Sequence, residues 1–187
     1  MISVEVLVEG YARCIPGGWD ALATTTLIWT DGHIIIVDPG PAYQCVRKKM
    51  RRHGVKEHEC TVFVTHFHFD HIAGMTAVPH IAVVDGTFVY AGAISRRHNG
   101  APFGNAIELL PTPGHTSEHT SLLVHADDAC YAIAGDVIWH EAVSEDAILQ
   151  APDPFAEDMD ILIESRKQLL MRADVIVPGH GPLFKVP

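Results

Sequence analysis

The run Thr65-His66-Phe67-His68-Phe69-Asp70-His71 places four metal-ligating side chains within six consecutive positions. His66 and His68 are two residues apart, so in an extended segment both imidazoles project to the same side and reach one ion. Asp70 and His71 follow where the chain turns toward a helix, and can face a second position nearby. Imidazole and carboxylate are ligands that zinc, iron and manganese accept. Three further ligands stand in short glycine-bearing motifs: Thr112-Pro113-Gly114-His115, Gly135-Asp136 and Pro178-Gly179-His180-Gly181. Glycine beside a ligand lets the backbone come close to an ion. The set His66, His68, Asp70, His71, His115, Asp136 and His180 therefore predicts two divalent metal ions side by side, zinc first, with iron and manganese as alternatives. Such a pair lowers the pKa of bound water to about 7, so hydrolysis needs no serine or cysteine nucleophile. No Gly-x-Ser-x-Gly elbow is present to supply one. Asp70 is suited to orient the attacking water and take its proton, and with His71 and Asp136 it makes the expected catalytic group.

Each ligand needs an element to hold it. The apolar run 60–65 reads as a buried strand that delivers His66. Alternation and apolar runs predict further strands over 2–9, 24–30, 33–37, 81–84, 87–91, 107–111, 121–125, 129–134 and 174–177. A tight turn at Asp31-Gly32 and a hairpin across 126–128 join neighbouring strands. His115, Asp136 and His180 each follow one of these strands, and strand ends are rigid supports for ligands. Helices are expected over 42–53, basic and ended by Gly54; from near His71 to Gly74; and over 155–172. The stretch around Pro16-Gly17-Gly18 and residues 95–106 read as loops. The simplest architecture is α/β (α+β): two packed mixed sheets flanked by helices, in a single domain over 1–187.

The bulk numbers fit this reading. Of 187 residues 48% are hydrophobic and 19% charged, enough to build a core and too apolar for a disordered chain. The formal net charge of -10 disfavours a polyanionic substrate, although two divalent ions would make the local field positive. Cys14, Cys45, Cys60 and Cys130 form no C-x-x-C pair, which fits reduced thiols in an intracellular, cytoplasmic protein. The N-terminus reads as a strand and not as a signal peptide, and no apolar run is long enough to span a membrane.

The H-x-H-x-D-H run, the later Pro-Gly-His, the Gly-Asp and the final Gly-His, in that order over about residues 24–181, resemble the metallo-β-lactamase superfamily. The resemblance implies an αββα sandwich with metals at one edge. It implies that His66, His68 and His115 hold a first metal, that Asp70, His71 and His180 hold a second, and that Asp136 bridges them. Asp38, in Val37-Asp38-Pro39-Gly40, resembles the family's early aspartate, which supports the ligand loop from behind. The segment from Ser165 to Pro182 resembles the small single-domain members linked to RNA cleavage in histone pre-mRNA 3′-end processing. Small members are often dimers, so a homodimer is an expected assembly.

Three functions compete: hydrolysis of an ester, thioester or lactone-type acyl bond in a small molecule; cleavage of RNA or DNA phosphodiesters; and metal binding without catalysis. An oxygen- or nitric-oxide-reducing di-iron protein fits less well, because His68 stands where those relatives favour Glu. The C-terminal helical domain of glyoxalase II enzymes, the inserted domain of CPSF-type nucleases and the exosite arm of tRNA-processing nucleases are not expected here. Asp136 in the Gly-Asp motif, where many β-lactamases use Cys in the second metal site, argues against a β-lactam substrate.

Other residues carry weaker signals. His119 and His140 follow two ligands closely and either line the pocket or lie in exposed loops. His33, His53, His58, His80, His98 and His125 are expected at the surface or in loops. Trp19 and Tyr11 are expected in ordinary core packing, with a substrate-facing loop as the alternative. The basic helix with Arg47, Lys48, Lys49, Arg51 and Arg52, over 46–53, is expected to be a solvated face, with an RNA-binding patch as the alternative.

Overall fold

The computed structural model describes residues 1–56, 59–78 and 80–187, so the expectation for His58 lies outside the described residues. The chain begins with β1 (Ser3–Val8), β2 (Tyr11–Ile15), β3 (Gly18–Leu22), β4 (Thr25–Trp29) and β5 (Ile34–Val37), then α1 (Tyr43–Arg52). β6 (Cys60–Phe63) leads through the ligand run into the one-turn α2 (Phe69–Ile72). β7 (Ala82–Val84), β8 (Phe88–Ala91), β9 (Ile94–Arg97), β10 (Ile107–Pro111), β11 (Thr120–His125) and β12 (Cys130–Gly135) follow. α3 (Glu145–Leu149), α4 (Met159–Arg172), β13 (Val175–Pro178) and β14 (Phe184–Lys185) complete it.

Two mixed sheets result. One has the order β1-β4-β5-β6-β7-β8-β9 and the other β10-β11-β12-β13-β14. β5, β6 and β7 run parallel, as do β12 and β13; the other neighbours are antiparallel. Strand alternation explains the layering. Ile28, Ile35, Val37 and Phe63 of the first sheet meet Ile107, Leu122, Val124, Ile133 and Val177 of the second. The intervening residues Leu27, Ile36 and Val62 turn outward onto Val46 and Met50 of α1. Leu123, Ala132 and Ile176 turn outward onto Ile148 of α3 and Leu162 and Leu169 of α4. Strands buried on both faces read as continuous apolar runs, which is why they were legible. The layers are helix, sheet, sheet, helix. Among the described residues no helix is long and apolar enough to cross a membrane.

Four local expectations need correction. The stretch around Pro16-Gly17-Gly18 is the turn of a hairpin, β2 with β3, in which Gly17 takes a φ of 84°. The hairpin stands off the sandwich, so its strands have no core-facing period to betray them. Within 95–106 the structure has the edge strand β9, paired with β8 and exposed along its length. α2 starts at Phe69, before His71. α4 starts only at Met159, where the Asp158 side chain accepts from the amides of Asp160 and Ile161.

Candidate metal centre

The loops that follow β6, β10, β12 and β13 meet at one edge of the sandwich. They bring all seven predicted ligands together. Ligand atoms of His66, His68, His115 and Asp136 lie within 4.8 Å of one another, and so do those of Asp70, His71 and His180. Asp136 faces both groups. Its Oδ1 is 3.0 Å from His71 Nε2, while its Oδ2 is 3.3 Å from His180 Nε2 and 3.4 Å from His115 Nε2. Asp70 Oδ2 lies 3.5 Å from His180 Nε2. His68 presents Nδ1, 2.9 Å from His115 Nε2.

The surrounding hydrogen bonds settle which nitrogen each histidine offers. The Thr65 hydroxyl donates to Asp38 Oδ2 at 2.7 Å, so it has only a lone pair left for His66 Nδ1 at 3.0 Å. His66 therefore carries its proton on Nδ1, and Nε2 is an open lone pair. His71 Nδ1 donates to Asp38 Oδ2 at 2.8 Å, His115 Nδ1 to Asp153 Oδ2 at 2.6 Å and His180 Nδ1 to the Leu22 carbonyl at 3.0 Å. In all four the outer nitrogen is tied to the protein and the inner one is left as a ligand, the arrangement that fixes tautomer and ring orientation at metal sites.

The inner atoms are what a cation would satisfy. His66 Nε2, His71 Nε2 and Asp136 Oδ1 are buried and make no well-aligned hydrogen bond, the last two facing each other at 3.0 Å. An unpaired buried polar atom costs about 1–3 kcal/mol, so His66 Nε2, beside two more inward-facing ligand atoms, marks a place for a cation. Burial pushes His66 well below the usual histidine range. Burial would raise the Asp136 carboxyl, but His71 and His180 outweigh it and hold the group well below the usual carboxylate range. Burial likewise works against a charged His71, yet Asp136 and Asp38 draw its affinity for a proton well up. A divalent ion would meet the same electrostatic demand in place of that proton. The residues present fit two divalent metal ions.

Asp38 lies behind the ligand run and is bonded to Thr65 and His71. Its carboxylate also accepts from the Thr65 amide at 2.9 Å, and its backbone φ of 49° is one that Asp tolerates better than most residues. Replacing Asp38 with Ala frees Thr65, unties His71 and lets His66 change tautomer. Metal affinity is expected to fall about 10–100-fold, read by chelator competition; unchanged affinity would show that Asp38 does not position these ligands.

His119 is neither a pocket residue nor an exposed loop histidine. It is 1% exposed. Its Nε2 accepts from the Asp136 amide at 3.2 Å, and its Nδ1 donates to Thr112 Oγ1 at 3.0 Å. Thr112 in turn bonds Ser121 at 2.8 Å, whose hydroxyl donates to the Ala134 carbonyl. Burial holds the His119 imidazole neutral, with its pKa down at about 3. The unfolded chain, with an ordinary histidine near 6.5, then binds the extra proton between about pH 6.5 and 3. The stabilisation is complete above that window and lost as pH falls through it. His119→Gln, melted from pH 7 to 4, is expected to lose stability at pH 7 and to show a flatter acid limb. An unchanged limb would remove His119 from the acid response.

Other placements differ in kind. His140 sits at a cavity wall with its Nδ1 on the His180 carbonyl at 2.5 Å. His33, His53 and His125 are exposed, and His80 and His98 are half-buried in loops. Trp19 is not core: it is 40% exposed on β3 and packs edge-on against Trp139 and Phe155 beside the metal ligands. Tyr11 is a hairpin residue whose hydroxyl donates to Asp20 at 3.0 Å. Asp153 was missed. A lone Asp between prolines carries no sequence signal, and only the return of residues 150–158 to the site brings it to His115.

A helix–sheet–sheet–helix sandwich whose strand ends converge on a paired His/Asp centre defines a metal-dependent hydrolase. The chain belongs to the metallo-β-lactamase superfamily. The profile of that superfamily matches residues 19–86. Metallo-beta-lactamase domain-containing protein 1 of Xenopus laevis is 30% identical over 98% of this chain and 82% of that protein. The human protein of the same name is 33% identical over 83% of this chain, which spans 60% of the human protein's length. The fold is shared with a Thermotoga maritima metallo-beta-lactamase-like structure (TM-score 0.73, 18% identity, 98% of this chain and 99% of that one). It is also shared with a quorum-quenching N-acyl homoserine lactone lactonase (TM-score 0.62, 16% identity, 96% and 91%).

Proposed function

We propose that this protein hydrolyses an acyl bond of the ester, thioester or lactone type in a small molecule. In this reading His66, His68 and His115 hold one zinc ion, Asp70, His71 and His180 hold a second, and Asp136 reaches both. Two such ions supply an activated water at neutral pH and polarise the bond to be cut. The chain's own part is orientation. Asp38, Thr65, Asp153 and Leu22 fix the ligand rings. Asp70, at the cleft surface, receives the proton released as water attacks.

The observation that carries the acyl reading is the cleft wall. A cavity of about 330 Å³ opens on Asp70, Asp136 and His180 and is walled by Trp19, Phe69, Trp139 and Phe155. Among the described residues no lysine or arginine lines it. A nuclease cleft needs cations for the phosphate backbone. The lactonase of the same fold shows that the architecture serves acyl hydrolysis elsewhere.

A second reading, RNA cleavage, rests on the basic residues of α1. The N-terminal end of α1 adjoins the ligand loop, since a Cβ on Gly74 would lie 2.9 Å from the Tyr43 Cβ. Lys49, Arg51 and Arg52 lie in its last turn, about 10 Å farther along. The test is a zinc-reconstituted protein offered lactones, esters and thioesters beside labelled single-stranded RNA, with Asp136→Ala as control. Turnover of an acyl substrate that disappears in the control supports the first reading. Cleavage confined to RNA replaces it with the second.

A further inference from the structure

Beside the metal cleft lies a second cavity of about 670 Å³, enclosed by the residues that follow β12 and by Trp19 of the hairpin. Trp19 and Trp139 line both cavities, so the two adjoin across an aromatic wall. Trp139 stacks on Phe155 with centroids 6.0 Å apart, and its ring lies 6.1 Å from His115 and 5.3 Å from His180. These rings stand between the metal-facing histidines and the second space, and a tail leaving the metal centre would enter it past their edges.

The lining decides what fits. Ile138, Ile148, Pro152 and Pro154 supply apolar surface. Of the ionisable groups that line it, Glu141 is exposed, His140 is bonded to the His180 carbonyl, and Asp153 and Arg166 are held by internal bonds. Asp153 is bonded to His115 and to the Phe155 amide at 2.9 Å. Arg166 is 1% exposed and donates to the carbonyls of Val137, Leu149 and Ala151 at 2.7–3.0 Å. Away from Glu141, a sugar or nucleobase would find few partners there and would lose its hydration. Next in sequence to the lining residues Ala142 and Pro154, Val143 is 96% and Phe155 46% exposed, apolar surface of the kind that marks binding sites.

We infer that this cavity is the tail subsite of the enzyme and that the substrate carries a hydrocarbon acyl chain of medium length, its carbonyl at the metal centre and its tail behind Trp139. The inference rests on the acyl-hydrolase reading, but its test does not depend on turnover. The probe is a series of straight-chain alkanoates from butanoate to octanoate, titrated into zinc-loaded protein and followed by calorimetry and by tryptophan fluorescence. Comparing chain lengths cancels the carboxylate head. Each added methylene is expected to tighten binding about fourfold, the equivalent of about 0.8 kcal/mol. Ala142→Trp, which fills the cavity from a half-buried position, should bring that factor close to one. Ala151→Leu, on another part of the wall, does the same should the first variant melt early.

Binding that ignores chain length, or a wild-type chain-length factor that survives in both folded variants, overturns the subsite. Length-dependent binding without hydrolysis of any acyl substrate leaves the subsite standing and removes the acyl-hydrolase reading. Hydrolysis of short esters with a flat alkanoate series does the reverse.

Discussion

Asp136→Ala protein is expected to lose kcat/KM by about a thousandfold or more and to retain less than half of the metal held by the wild type. The magnitude follows from what the side chain faces. Among the described residues Asp136 is the single carboxylate that meets ligands of both groups, with His71 on one oxygen and His180 and His115 on the other. Without it, buried imidazole lone pairs lose the negative charge that balances a cation. A thousandfold loss corresponds to about 4 kcal/mol of transition-state stabilisation, well within what a carboxylate facing both groups would supply to a metal centre. Asp136→Asn keeps the shape and removes the charge, so it should retain more metal than Ala and still lose most activity. The fold should survive, because the Asp136 amide, not its side chain, makes the bond to His119. Metal analysis by mass spectrometry with activity on the same samples checks this. Full stoichiometry and rate in the Ala variant would take Asp136 out of the site.

The largest effect on stability is expected at Arg166. Its side chain passes from α4 through the core and ties three carbonyls at positions 137, 149 and 151, which hold the segment after β12 in place. Arg166→Met keeps most of the apolar stem and leaves those carbonyls without their donor. At about 1–2 kcal/mol for each, a loss near 4 kcal/mol is expected, read as a lower denaturant midpoint. Because the same segment carries Asp153 to His115, metal affinity should fall in parallel. A loss of stability with unchanged metal affinity would show that the His115 loop is held without it. The contacts of α4 with that loop are the competing support: Ser165 donates to the Pro113 carbonyl at 2.7 Å, and the Asp158 amide donates to Gly114 at 2.9 Å.

Glycine positions at the site show how closely the backbone must pack. A Cβ on Gly179 would lie 2.1 Å from Asp136 Oδ1, so the residue before His180 has to be glycine for the carboxylate to keep its place. The motif Pro178-Gly179-His180 thus joins a ligand to the space another ligand needs, a relation no spacing rule expresses.

Much of this protein is written locally. The apolar runs of β4, β5, β6, β11, β12 and β13 are buried on both faces and stand out against the turn residues between them. The seven metal-facing residues are legible because chelation demands particular side chains, and four of them fall within one short run. Asp38 is legible only through resemblance. What the sequence left open is what distant segments do to one another. The β2–β3 hairpin has no core-facing alternation, since it projects from the sandwich, and so Trp19 looked like core and is instead a cleft wall. For His119 the sequence offers a pocket wall or an exposed loop, but the turn of the loop into β11 directs it under the Asp136 amide. Asp153 and Arg166 have no local pattern at all. Their roles come from α4 packing against the second sheet, which brings chain segments far apart in sequence within hydrogen-bond distance. Ligand chemistry is short-range along the chain and can be read from residue types; orientation of those ligands, and the shape of the space beside them, depends on long-range packing that only the folded chain specifies.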